Sequence, residues 1–278
     1  MTIAVYAKAL GGDVVGKGRI MCPGPYHSPN DRSLSVTFTS AGFLVHSFSN
    51  DDWKMCRDHV SAALGLGGEA HFARPSAEDL EKIRQEEERQ AIQQEHRAIE
   101  CWKASKPIAG TIAESYLRRR GITCSLPESL RFHPECRHPG TSWLPAMVAA
   151  VEGAKRFAVH RTYLRPDGTG KADFEPAKAM LGAVAGGAVR LTASGSRIVV
   201  CEGIETGLSL ASGLLHGSPT IWAALSTSGL KRLALPEQPG SLLITTDGDD
   251  AGRAAGNVLA PDGQDWNDVL KGSANDRG

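Results

Sequence analysis

The stretch SLLITTDGDDAGRAAG, residues 241–256, decides how this chain folds. Apolar and β-branched residues from Leu242 to Thr246 run directly into Asp247, Asp249 and Asp250, and small residues suited to a helix follow. The same grammar holds upstream. RIVVCEG (197–203) and TIWAAL (220–225) are strands without polar alternation, while ETGLSLASGLLHG (205–217), GLKRLAL (229–235) and DAGRAAGNVLA (250–260) read as helices between and after them. A strand that is apolar on both faces belongs to a parallel sheet with helices on each side. From residue 197 the chain therefore reads as α/β.

In open parallel sheets ligands bind beyond the carboxyl ends of the strands. Glu202 ends one predicted strand, Asp247 ends another, and Asp249 lies two residues on. Like charges gathered in one place are costly unless protons or cations neutralise them. Magnesium, or manganese in its place, takes hard oxygen ligands of this kind. Capping of the helix that begins at Ala251 accounts for Asp249 or Asp250 but not for Glu202 as well, so a divalent-cation site is the reading.

The rest of the chain supplies different material. The 278 residues are 41% hydrophobic, enough for two or three units. No apolar run is long enough to span a bilayer, and the first residues lack a signal-peptide pattern, so the expectation is a cytoplasmic protein with no membrane partner. Six cysteines without CxxC spacing argue against a disulfide framework. Net charge is zero, but residues 103–197 carry 15 Lys+Arg against 7 Asp+Glu, and residues 198–278 carry 5 against 10. That asymmetry suits a polyanion held beside an acidic metal site, and equally suits unevenly solvated faces.

Four segments are expected: a small β-rich unit (1–68), a polar connector helix (69–105) opened by a Ser76-x-x-Asp79 capping pattern, a basic α+β unit (106–196), and the α/β domain (197–278). In the first unit, RIMC, SLSVTFT and GFLVHSF read as strands, with Phe43, Val45, Phe48 and Trp53 as core. Arg118, Arg119 and Arg120 fan around a helix end, where cations favour the dipole. Arg161, Arg165, Lys171 and Lys178 follow on or after a strand.

VVCEGIETGLSL (199–210), ALSTSGL (224–230) and TTDGDDAGRAAG (245–256) together resemble the Toprim domain of bacterial primases, topoisomerases and certain nucleases. PDGQDWNDVL (261–270) resembles the segment that follows it in primases, where Asp265 and Asp268 would join the metal cluster. Upstream, GTIAESYLRRRGI, LPESLRFHP, VHRTYLRPDGTGKA and KAMLG resemble the basic subdomain that precedes Toprim in such proteins. The resemblance implies a Mg-dependent nucleotidyltransferase of the phage, plasmid or integrated-element type that makes RNA primers on single-stranded DNA. Glu202, Asp247 and Asp249 would be catalytic metal ligands, and Arg118, Arg161, Arg165, Lys171 and Lys178 would bind template or NTPs. A Toprim nuclease and a catalytically silent nucleic-acid-binding protein are the alternatives. No P-loop occurs, so any helicase would act in trans. Two departures stand out: the chain passes from GNVLA directly to PDG, as if one helix turn and one strand were missing, and Asn267 occupies the place of the segment's second acid.

CPGPYHSPNDRSLSV (22–36) resembles the first half of the zinc ribbon at primase N-termini. Its second half is degenerate, because VHSFSND places Ser47 and Asn50 where two thiolates would stand. Cys22 and His27 remain as zinc ligands unless His46 and Cys56 complete the set, and a structural zinc needs four. The ribbon is read as a fold kept by packing without its zinc.

Overall fold

The computed structural model describes residues 2–15, 18–29, 31–39, 42–49, 51–66, 77–140, 142–215, 217–236, 240–246, 258–259, 266–267 and 269–270. The chain divides into two compact units, residues 1–86 and 87–278.

In the first unit, helix α1 (Ile3–Ala9) precedes four antiparallel strands, β1 (Asp13–Val14), β2 (Arg19–Cys22), β3 (Leu34–Thr39) and β4 (Gly42–Ser47), paired in that order. Helix α2 (Trp53–Ala63) follows, its first turn capped by Asp52, which accepts from the Lys54 and Met55 N–H groups. Strand β2 alternates, with Ile20 and Cys22 buried; they pack with Leu34, Val36, Phe43, Cys56 and Val60. Two residues expected in this core are exposed instead. Phe48 lies in the turn after β4, against the His46 ring, and Trp53 opens α2 with Arg57 over its ring. Helix α1 and strand β1 were not expected from the sequence.

The long helix α3 (Ala77–Ala104) runs through the division between the units. Near its end Ala98, Cys101 and Trp102 pack on a five-stranded antiparallel sheet. The strands of that sheet are β5 (Lys106–Pro107), β6 (Leu130–Arg137), β7 (Trp143–Val151), β8 (Ala158–Tyr163) and β9 (Lys178–Leu181), in that order. Between β5 and β6 lies α4 (Ile112–Arg119), whose Ala113, Tyr116 and Leu117 are buried on the other face of the sheet.

The second sheet of this unit has the order β10-β12-β11-β13-β14. Its central strand β11 (Arg197–Cys201) is parallel to β12 (Thr220–Ala223) and β13 (Ser241–Thr246). Strand β10 (Val189–Arg190) joins antiparallel at one edge, and β14 (Val258–Leu259) parallel at the other. Val258 and Leu259 were expected at the end of a helix. They pair instead with Thr245 and Thr246 as a two-residue parallel strand: a Val-Leu pair beside an apolar strand completes an edge that a helix would leave open. Helix α5 (Ile204–Ser209), buried at every position, follows β11 and continues as a π-type turn over Leu210–Leu214. Helix α6 (Thr227–Arg232) begins at Ser226, whose hydroxyl accepts from the Gly229 N–H. No helix among the described residues is long and apolar enough to cross a membrane.

Candidate active site

The site is built on the carboxyl ends of β11 and β13. Their register pairs Val200 with Ile244 and Cys201 with Thr245, so Glu202 directly follows the end of β11 and Thr246 is the last residue of β13. Asp247 is the residue after Thr246. Asp247, Asp249, Asp250, Asp265 and Asp268 lie outside the described residues. At the end of β12, Leu225 takes a left-handed φ of 70° before α6 begins. A branched side chain rarely adopts that conformation, and such strain gathers at binding edges.

One residue that the sequence reading passed over dominates this edge. Glu205, in the first turn of α5, is buried with 5% exposure. Its Oε1 accepts a hydrogen bond from the Tyr116 hydroxyl at 2.9 Å. Lys178 Nζ stands 3.4 Å from Oε2 and Lys171 Nζ 3.7 Å from Oε1. A Cβ placed on Gly203 would lie 3.9 Å from Glu205 Oε2, so the carboxylate folds back beside the residue that follows Glu202. Burial opposes its ionisation, yet Lys178, Lys171 and Arg120 together hold the carboxyl well below the ordinary range. Burial also draws the Lys171 ammonium below its ordinary value despite the attraction of Glu205, with Lys178 adding repulsion. The two lysines keep 35% and 39% of their side chains exposed.

His160 on β8 belongs to the same neighbourhood. Its register places it opposite Met180, two residues from Lys178. Burial, joined by repulsion from Lys178, Arg161 and Lys171, lowers its pKa to about 4, so the ring is neutral near pH 7. Its Nδ1 has no hydrogen-bond partner among the described residues.

The basic residues expected to act together are separated. Lys171 and Lys178 converge on Glu205. Arg161 lies in register with Ala179 and is buried on the opposite face of β8, under α3. Arg165 is exposed and pairs with Asp173 at 2.6 Å. Arg118 pairs with Glu114 at 3.1 Å and donates to the carbonyls of Ile122 and Cys124.

Trp266 and Asn267, the first described residues that follow P-D-G in the sequence, are tied in through side-chain N–H groups. Asn267, 1% exposed, donates through Nδ2 to the Arg120 carbonyl at 2.7 Å and to Ser209 Oγ at 2.9 Å. Trp266 Nε1 donates to the Thr246 carbonyl at 3.0 Å, beside the end of β13. An aspartate at position 267 would meet two oxygens where the amide donates, which explains the departure from the acid pattern.

In the first unit Cys22 is in the apolar core, and burial pushes its thiol up to about 11. His27 is held by oxygens: Nδ1 lies 2.9 Å from Asp31 and 3.0 Å from Ser33 Oγ, and Nε2 lies 3.2 Å from Asp51. His46, the other candidate imidazole, stacks edge-on with Phe48. No group of three or more His, Cys, Asp or Glu able to hold a metal occurs among the described residues of either unit.

Glu205 carried a signal that was readable in retrospect. It is the one charge in the otherwise apolar or small run GIETGLSLASGLL, and such a residue needs a partner from elsewhere.

Residues 92–191 match a domain of unknown function (DUF7146), and residues 197–276 match the Toprim domain. The chain is similar to the zinc-binding and RNA polymerase domains of the Aquifex aeolicus primase, at 13% identity over 99% of this chain and 80% of that one, with a TM-score of 0.36. It is also similar to the RNA polymerase domain of Mycobacterium tuberculosis primase DnaG, at 20% identity over 61% of this chain and 62% of that one, with a TM-score of 0.31. No curated protein matches the chain. The parallel strands β11 and β13 and helix α5 lie within residues 197–276, the part of the chain that matches the Toprim domain.

Proposed function

We propose that this chain is a primase-like nucleotidyltransferase that makes short RNA primers from NTPs on single-stranded DNA, with Mg²⁺ or Mn²⁺ at the β11–β13 edge. The observation that supports this reading is the parallel register that pairs Cys201, the residue before Glu202, with Thr245, two residues before Asp247 in the sequence. Glu202, Asp247 and Asp249 are a donor set of hard oxygens, which fits such an ion, and Asp265 and Asp268 would complete it. The bound ion supplies neutralisation of phosphate charge and polarisation of the attacking and departing oxygens.

The protein's own groups do the remaining work. A 3′-hydroxyl attacks the α-phosphate of the incoming nucleotide, and pyrophosphate leaves. Glu202 is the candidate base for the proton of that hydroxyl. Lys171 and Lys178 each commit part of their donors to Glu205, and the remaining N–H groups take phosphate oxygens. Glu205 is a positioning residue: it holds two flexible ammoniums in place, with its carboxylate near Gly203.

The test is incorporation of labelled NTPs on single-stranded DNA with and without divalent ions. Wild type is expected to give short RNA only with the ion, and Glu202→Gln and Asp249→Asn to reduce product by roughly a hundredfold. Equal product from wild type and Asp249→Asn contradicts the catalytic assignment. Template cutting without synthesis makes the site a nuclease, and template binding without either reaction makes the chain a binding protein.

A further inference from the structure

Strand β8 separates two basic sites. Ala158 and Leu164 face the core that contains α4 and β11, whereas Val159 and Tyr163 face the core beneath α3. Arg161, between them in alternation, belongs to the α3 side, away from Glu205. Its side chain is 7% exposed. Nη1 donates to the Arg137 carbonyl at 2.9 Å and Nη2 to the Met180 carbonyl at 3.1 Å, while Nε has no hydrogen-bond partner among the described residues. No carboxylate pairs with it among the described residues. The Cys136 thiol lies beside it and the Tyr163 ring centroid is 5.7 Å away, so its partners are carbonyls, a thiol and a ring rather than an anion.

That guanidinium lines a cavity of about 720 Å³ between α3 and the sheet, the size of a small-ligand site. Arg97 and Arg137 line it as well, both exposed and without an acidic partner among the described residues. The one acid on its wall, Glu100, pairs with Lys103 at 3.3 Å. His133 accepts from the Glu135 N–H through Nδ1, which leaves its Nε2–H as a donor. His138 is fixed as a wall, accepting from the Gly140 N–H and donating to the Pro176 carbonyl with its ring against Tyr163. Trp143, 65% exposed, also lines the cavity and offers a free aromatic face.

We propose that this cavity binds a nucleoside phosphate, with the phosphates on Arg97, Arg137 and Arg161 and the base stacked on Trp143. Three guanidiniums supply the forked donors that phosphate oxygens accept, and an exposed indole stacks any base without regard to sequence. The site is independent of the divalent ion and of the polymerisation reading, because it lies on the other face of the sheet from Glu205.

The experiment is equilibrium binding of ATP to the full chain in EDTA, which silences any divalent-ion site. Wild type is expected to bind ATP, Trp143→Ala and Arg97→Ala each to weaken binding by roughly tenfold or more, and Lys54→Ala, exposed in the first unit, to leave it unchanged. Trp143 and Arg97 are exposed, so these variants keep the test valid should Arg161→Met fail to fold. Absence of ATP binding by wild type, or equal affinity in Trp143→Ala and Arg97→Ala, overturns the proposal. Binding of a single-stranded oligonucleotide that ATP does not compete also overturns it, in favour of a strand-binding surface.

Discussion

At the scale of single residues, Glu205 carries the most consequence. A buried carboxylate stays ionised only while its cations are in place. Lys178→Met should therefore cost about 1–2 kcal/mol at neutral pH, a range lowered for the partial exposure of the lysine. The same change at Arg165, whose pair with Asp173 is exposed, should cost under about 0.5 kcal/mol. Urea unfolding of the two variants makes the comparison. The Lys178→Met loss should also shrink as pH falls toward 5, because a carboxyl deprived of its cation is raised by burial and escapes its penalty by protonation. A loss independent of pH would mean that Glu205 does not need the lysine. The strand before Glu202 was legible in the sequence because RIVVC is a continuous apolar run. Glu205 was legible only as a lone charge in an apolar run that needs some partner; which partners was not, because Tyr116 and Lys178 are 89 and 27 residues away.

At the scale of elements, the position of Glu205 depends on how closely α5 lies on β11 and β12. Gly207 makes that approach possible: a Cβ there would come within 2.9 Å of Cys201 Sγ and 3.2 Å of Ile221 Cγ2. Gly207→Ala should destabilise the chain by about 1–3 kcal/mol through overpacking and should weaken nucleotide use by moving Glu205 and its lysines. A variant as stable as wild type, measured by thermal unfolding, would contradict this packing. The elements of the Toprim sheet were legible because β11, β12 and β13 are continuous apolar runs bounded by turn residues. Strands of two residues were not. Val14, Arg190 and Leu259 pair in ladders too short to leave a periodic trace, so their strands are decided by neighbours rather than by local sequence.

At the scale of the whole molecule, the two units should respond to acid in opposite directions. In the first, Asp31 accepts from His27 and raises its pKa, with Asp51 adding to the effect. A raised histidine contributes stability that is complete below its ordinary 6.5 and is lost as pH rises through the folded value. In the second, His160 is lowered to about 4, chiefly by burial, and burial lowers His133 as well. A lowered histidine destabilises as pH falls from 6.5 through its folded value, because the unfolded chain then binds the extra proton. Moving from about pH 7.5 to about pH 5 should strengthen hydrogen-exchange protection in β2–β4 and weaken it in β7–β9, the latter by roughly 2 kcal/mol. Parallel changes in both units would contradict the assignment. Asp31 does not alter this window: burial works against its ionisation, but hydrogen bonds from Ser33 and His27 hold it at about 2.

The account depends most on acids from two parallel strands sharing one divalent ion, and manganese binding followed by electron paramagnetic resonance tests that most directly. Wild type should hold Mn²⁺, Glu202→Gln and Asp249→Asn should each lose roughly tenfold or more in affinity, and Lys178→Met should not. Unchanged Mn²⁺ affinity in both carboxylate variants would contradict it.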